Sequence, residues 1–164
     1  MKEIFERRSV RKFAAREVEA EKLEAVLRAG MAAPSAGNQR PWEFYIVRDR
    51  EKLEALSKIS RYAGPVAAAP LAIVAVCDPA GKRFAEVAPT DMAICTEHLW
   101  LGAVSEGLGA VWIGVYPFED RVKLANQILG IPAGQFVFSV LPLGYPAEEK
   151  APEDRFDPAR IHEM

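Results

Sequence analysis

Four cations and a hydroxyl fall within the run Arg7-Arg8-Ser9-Val10-Arg11-Lys12, in a chain that is slightly acidic, with 21 Lys and Arg against 23 Asp and Glu. Such a cluster repels itself unless an anion lies across it, and guanidinium forks pair bidentately with phosphate. A phosphate-bearing ligand is therefore one reading. A solvated helix end is the other, because charge runs commonly face water. A second segment, Pro34-Ser35-Ala36-Gly37-Asn38-Gln39-Arg40-Pro41-Trp42, sets short polar side chains between two prolines. The prolines fix the backbone while the polar groups offer donors and acceptors, which suits edge-on hydrogen bonding to a planar heterocycle or, alternatively, a capped turn.

Other chemistries find little support. Gly107-Leu108-Gly109 has Trp112 where a dinucleotide fingerprint needs its third glycine, and it follows a helix and precedes a strand, the reverse of the required order. His98 and His162 have no second ligand at metal spacing, so no metal site is expected. Cys77 and Cys95 lie in apolar surroundings without CxxC spacing and read as two buried thiols in a reducing compartment.

The elements that must hold these segments follow from periodicity. With 164 residues, half of them hydrophobic, the chain is expected to form one domain with a sizeable core. A net charge of −2 argues against nucleic-acid binding, which needs a broad basic face. The opening residues are charged and not signal-like. The apolar stretch from Pro65 to Cys77 is interrupted by Pro70 and too short to span a bilayer, so a cytoplasmic protein without membrane association is expected.

The pattern predicts helices over 2–8, 19–32 (Leu23, Val26, Leu27 and Met31 inward), 50–59 with Asp49 as N-cap, 90–107 and 119–129. Strands are predicted at Trp42–Val47, Leu71–Cys77, Ala110–Tyr116 and Phe136–Leu143. The 90–107 helix is apolar almost all round, the mark of a helix in the core or at an interface. Residues 145–164 carry Pro146, Pro152 and Pro158 among many charges, and read as an extended tail that gains order by lying on something else, such as a partner subunit. The strands form no regular βαβ series. The expected fold is α+β, with helices on a mostly antiparallel sheet.

In order along the chain, the Arg7–Phe13 block, the Ala33–Trp42 block, Gly107-Leu108-Gly109-Ala110-Val111-Trp112-Ile113-Gly114-Val115-Tyr116-Pro117 and Leu143-Gly144-Tyr145-Pro146-Ala147-Glu148-Glu149 resemble the FMN-dependent nitroreductase family. The resemblance implies a nitroreductase-like fold, an intertwined homodimer with two FMN molecules at its interface, and a domain over 1–144 whose tail, 145–164, is exchanged onto the partner. It also implies that Arg7 and Ser9 hold the FMN phosphate with Arg8 beside them, and that Arg11 reaches the pyrimidine edge of the flavin. Pro34, Ser35, Ala36 and Asn38 match the loop that meets the flavin from the other subunit. Ala36 stands where the family often has a second serine, which removes one side-chain hydrogen bond and leaves the backbone contacts. Ile113 and Gly114 match the strand end whose amides lie near flavin N5 and O4. Arg155, or alternatively Lys150, matches the late basic residue that closes on the phosphate.

The activity implied is hydride transfer from NADH or NADPH through flavin N5 to a nitroaromatic, quinone or flavin acceptor, by a ping-pong route needing no acid–base side chain. Two alternatives stay open: a specialised FMN enzyme of the same fold (dehalogenating, flavin-fragmenting or azoline-dehydrogenating), and a non-catalytic flavin-binding or redox-sensing protein. The specialised enzymes usually carry a lid, and here only Ala80 to Pro89 is free to vary over the pocket.

Overall fold

The computed structural model describes residues 1–164. A β-sheet is sandwiched between two helical layers. In chain order the elements are α1 (Lys2–Glu6), α2 (Ala20–Met31), β1 (Trp42–Val47), α3 (Arg50–Leu56), α4 (Pro65–Ala68), β2 (Leu71–Cys77), α5 (Ala88–Ser105), β3 (Gly109–Ala110), β4 (Ile113–Gly114), α6 (Glu119–Leu129) and β5 (Phe136–Gly144). The sheet runs β1-β2-β5-β3, with β4 also on β5, and every strand pair is antiparallel. The expected α+β architecture is the observed one.

β2 is buried at all seven positions, which explains its unbroken apolar sequence: both faces of the strand are covered. Its side chains alternate between two cores as a pleated strand requires. Ala72, Val74 and Val76 pack with Leu53, Leu56, Val66 and Ala125 under α3, α4 and α6. Leu71 and Ile73 pack with Val26, Leu99, Trp100 and Ala103 of α2 and α5, while Ala75 and Cys77 meet Met92 and Cys95. Burial pushes both thiols up to about 12, so Cys77 and Cys95 are uncharged, free and inert.

α5 spends one stripe on that core: Ala88, Met92, Cys95, Leu99 and Ala103 are fully buried at three- and four-residue spacing. Its opposite side, including Ile94, Leu101 and Val104, is only half-buried in the single chain. The close approach of α2 and α5 depends on Gly102, where an added Cβ would lie 2.7 Å from Ala29 Cβ.

Several expectations are corrected. The first helix ends at Glu6, because Arg7 is already extended (φ −55°, ψ 125°), so Arg7 and Arg8 belong to the strand-like segment that follows. Met31 ends α2 but is 54% exposed rather than inward. α3 stops at Leu56, and Ile59 reaches the core through a turn instead. Asp49 does cap it, its Oδ1 accepting the Lys52 N–H at 2.8 Å.

The continuous strand expected over Ala110–Tyr116 is two short pieces. The pairs Ala110–Leu143 and Ile113–Val140 bracket Leu141 and Pro142 on β5, and a proline has no N–H to give the ladder. The segment Ala80–Pro89 is tethered at one point. Gln39 grips Phe84 through both main-chain groups, with Phe84 N–H donating to Oε1 at 3.0 Å and Nε2 donating to the Phe84 carbonyl at 3.1 Å. No helix is long and apolar enough to cross a membrane.

Candidate functional site

Residues 9–14 run along the sheet edge. Ser9 bridges Ala110 in parallel, the Val10 N–H donates to the Ala110 carbonyl at 2.9 Å, and Phe13 bridges Pro146 beyond the end of β5. Gly109 permits this approach, since a Cβ there would meet Val10 at 2.8 Å. The Gly107-Leu108-Gly109 block is thus a docking edge for the arginine segment. Extension of that segment distributes its cations among neighbouring hollows instead of one patch.

Arg7, Arg8 and Arg155 line one hollow of about 350 Å³, together with Ile4, Phe5, Phe156 and two carboxylates, Glu153 and Asp154. Arg7 is committed within the chain: Nε lies 3.5 Å from Glu97 Oε1, and the guanidinium stacks 4.1 Å above the Trp100 ring. Burial raises the Glu97 carboxyl above the ordinary range, an effect that Arg7 and His98 oppose. Arg8 donates from Nε to the Ala151 carbonyl at 2.8 Å and from Nη1 to the Arg7 carbonyl at 2.7 Å. Its Nη2 is buried and has no partner. Arg155 forks onto Glu153 at the exposed rim.

Lys150 lines a second hollow, which Arg8 also reaches. Its ammonium donates to the Ser9 carbonyl at 2.5 Å and pairs with Glu148 at 3.2 Å. Glu148 in turn accepts the Arg11 N–H at 2.6 Å, and that bond is the first cause of a carboxyl held below the usual range. These contacts tie the start of the tail to the arginine segment.

Arg11 faces a different opening, a cleft of about 490 Å³ that it lines with Ile113 and Gly114. Around Gly114 the space is open, with no atom within 4 Å of where a Cβ would stand. The Gly114 carbonyl accepts Arg121 Nη1 at 3.0 Å. The rest of the wall includes Arg61, Tyr62, Gly64 and Trp112. Sequence reasoning missed Arg61, Tyr62 and Arg121. A Gly64-Pro65 pair is the kind of turn signal that could have pointed to a bend near the first two, whereas Arg121 looks like an ordinary solvated position of a helix.

The Pro34–Trp42 loop is built as a rigid turn. Ser35 Oγ accepts the Arg40 N–H at 2.9 Å, and Asp91, 3% exposed, accepts the Ala36 N–H at 2.9 Å and Gln39 Nε2 at 2.6 Å. Gly37, Asn38 and Arg40 all have positive φ, which these hydrogen bonds hold in place. None of Pro34, Ser35, Ala36 or Asn38 lines the Arg11 cleft. The single chain therefore unites Arg11 with Ile113 and Gly114, and Arg7 and Arg8 with Arg155, and leaves the loop separate.

This donor set fits a flavin mononucleotide. An orphaned buried guanidinium N–H beside other cations suits a phosphate oxygen, and an open glycine wall opposite a cation suits a planar ring with an electron-rich edge. Fold and site together define an antiparallel α+β protein with an arginine-lined hollow and a separate cleft walled by Arg11, Ile113 and Gly114. The sequence pattern of the nitroreductase family matches residues 4–89 and 62–145, and the chain belongs to that family.

A Methanothermobacter thermautotrophicus protein described as "Putative NADH dehydrogenase/NAD(P)H nitroreductase" is 46% identical over 156 residues, covering 95% of this chain and 82% of that protein. The crystal structure of a "Putative NADH Oxidase" from Clostridium acetobutylicum superposes with a TM-score of 0.94 at 44% identity, covering 98% of this chain and 97% of that one. An FMN-dependent nitroreductase from Clostridium difficile R20291 gives a TM-score of 0.91 at 33% identity, covering 99% and 98%.

Proposed function

We propose that this chain is an FMN-dependent NAD(P)H oxidoreductase that works as a homodimer. The observation that carries the reading is the pairing of the Arg8 hollow, with its unmatched buried N–H, and the Arg11–Ile113–Gly114 cleft on one sheet edge. Family membership and the names of the relatives support it. FMN held there would supply hydride-transfer chemistry between a nicotinamide donor and a nitroaromatic, quinone or flavin acceptor.

The chain's own residues bind and tune. Arg7, Arg8 and Ser9 would hold the phosphate, with Arg155 or Lys150 closing over it. Arg7 reaches a phosphate by exchanging its Glu97 partner, whereas Arg8 has a donor already free. Arg11 would place a fixed positive charge at the pyrimidine edge, favouring the reduced ring. The backbone at Ile113 and Gly114 would face N5 and O4, with the Gly114 carbonyl engaged by Arg121. Pro34, Ser35, Ala36 and Asn38 would complete the site from the partner subunit. Consistent with that, they leave this chain's cleft open while their loop is pre-formed. The half-buried outer side of α5 and the exposed tail would supply the contact between subunits.

Initial rates with NADH or NADPH and menadione test the reading. Parallel double-reciprocal lines are expected. Intersecting lines would rule out the ping-pong route, and turnover at background would leave a flavin-binding protein that is not an oxidoreductase.

A further inference from the structure

Asp91 stands in the first turn of α5, 3% exposed, and both its oxygens are engaged by one loop. Oδ1 accepts the Ala36 N–H at 2.9 Å and Oδ2 accepts Gln39 Nε2 at 2.6 Å. Both donors are neutral amides, and the start of a helix is where a carboxylate is favoured. Gln39 carries the network on to Phe84, donating to its carbonyl at 3.1 Å and accepting its N–H at 3.0 Å. The Phe84 ring closes the other side of the loop: a Cβ on Gly37 would stand 2.9 Å from its Cε2.

A carboxylate sets the polarity of this network, because it can only accept. Gln39 must turn Nε2 towards Asp91, which leaves Oε1 for the Phe84 N–H. The backbone so held is unusual. Asn38 has φ 56° and Arg40 φ 46°, a conformation that non-glycine residues keep only where their surroundings over-determine it. Yet the loop serves neither opening of its own chain. No residue from 34 to 42 lines the Arg11 cleft or either hollow that Arg8 reaches, and Pro34, Gly37 and Asn38 are exposed. A braced and strained loop on the outside of the chain suits a ligand held by another chain.

We propose that Asp91 is a positioning residue that acts in trans: through Gln39 and the Ala36 amide it shapes the Pro34–Trp42 loop for the flavin bound by the partner subunit. The inference rests on the homodimeric flavin reading and extends it to a buried side chain of α5.

Asp91→Asn is the sharpest probe, since an amide of the same shape must turn an N–H towards Ala36 or Gln39 and set donor against donor. The homodimer of this variant should bind FMN about tenfold more weakly, the scale of a lost hydrogen bond to a charged group. The decisive measurement uses a hybrid dimer of one Asp91→Asn chain and one Arg8→Gln chain, purified through two different tags and titrated with FMN by calorimetry. With Asp91 acting in trans, both defects fall on one site and the other is intact, so the hybrid binds one FMN with wild-type affinity. With Asp91 acting on its own chain's site, each site carries one defect and no wild-type affinity remains.

A hybrid without a wild-type-affinity site overturns the proposal, and so does an Asp91→Asn homodimer that binds FMN as tightly as wild type. Where Asp91→Asn chains do not fold, Gln39→Met breaks the same network without altering the buried charge and takes their place, with the same two outcomes. An Arg8→Gln homodimer that keeps its FMN contradicts only the phosphate assignment of the parent reading, and Arg7→Gln then supplies the second chain. A wild-type protein that binds no FMN removes the parent reading itself, and this inference with it.

Discussion

Arg8 and Arg11 come from one short run yet face different openings, so their substitutions should separate. Arg8→Gln removes the only cation with an unmatched buried N–H. Losing a charge-assisted hydrogen bond of about 1.5–3 kcal/mol should weaken FMN binding roughly 10- to 100-fold, measured by fluorescence titration of the apoprotein. Arg11→Gln should leave retention nearly intact and lower the flavin potential, measured by redox titration, because its charge lies at the ring cleft. Equal effects from both would show one undivided patch. Arg7→Gln has a second consequence through Glu97, whose carboxyl burial already raises. Without Arg7 it should rise further. The sign is that of a raised acid: the cost to folding is full above the folded-state value, is relieved as pH falls from that value towards the ordinary 4.5, and is absent below it. NMR titration of the Glu97 carboxyl would show the change.

At the scale of elements, Glu19 at the start of α2 ties that helix to Tyr145 at the head of the tail. It accepts the Tyr145 hydroxyl at 2.6 Å and Arg16 Nη2 at 2.7 Å, and with Tyr145 as the first cause its value falls from 4.5 to about 2. That contribution to stability is present above about 4.5 and lost as pH falls towards about 2. Glu19→Gln should flatten the acid limb of the stability curve in this window, as followed by urea unfolding at stepped pH. Gly102→Ala tests the α2–α5 contact. Helix propensity alone would favour Ala by about 1 kcal/mol. The added methyl would stand 2.7 Å from Ala29 Cβ, which is fixed to its own backbone, and overpacking of about 1–3 kcal/mol should win. A lowered denaturation midpoint is expected.

The legibility of the chain divides along the same lines. β1, β2, α6 and the Asp49 cap were plain because burial period and capping chemistry are local. The break between β3 and β4 was not, because it arises from Pro142 on a strand far along the chain. For the same reason Arg11, Ile113 and Gly114 could be named from motifs, while Arg61 and Arg121 joined them only once the fold brought those segments to one cleft.

For the whole molecule, the single chain leaves apolar surface that a monomer has little reason to expose. Phe5 is 64% exposed, Phe156 73% and Ile161 59%, all on the N-terminal helix or the tail. A dimer is expected by sedimentation at micromolar concentration. Replacing Phe156 and Ile161 with serine should shift it towards monomer and release FMN in parallel, since the loop at Pro34–Asn38 would serve the partner's site. A monomer that keeps its FMN would contradict the shared-site arrangement.

The central claim is that this sheet edge holds a flavin that a nicotinamide can reduce. It is tested most directly by mixing the FMN-loaded protein with NADH and with NADPH under anaerobic conditions and following the oxidised-flavin absorbance. Rapid, complete bleaching with at least one donor is expected, and recovery of the colour on adding menadione. A bound flavin that stays oxidised with both donors would contradict it.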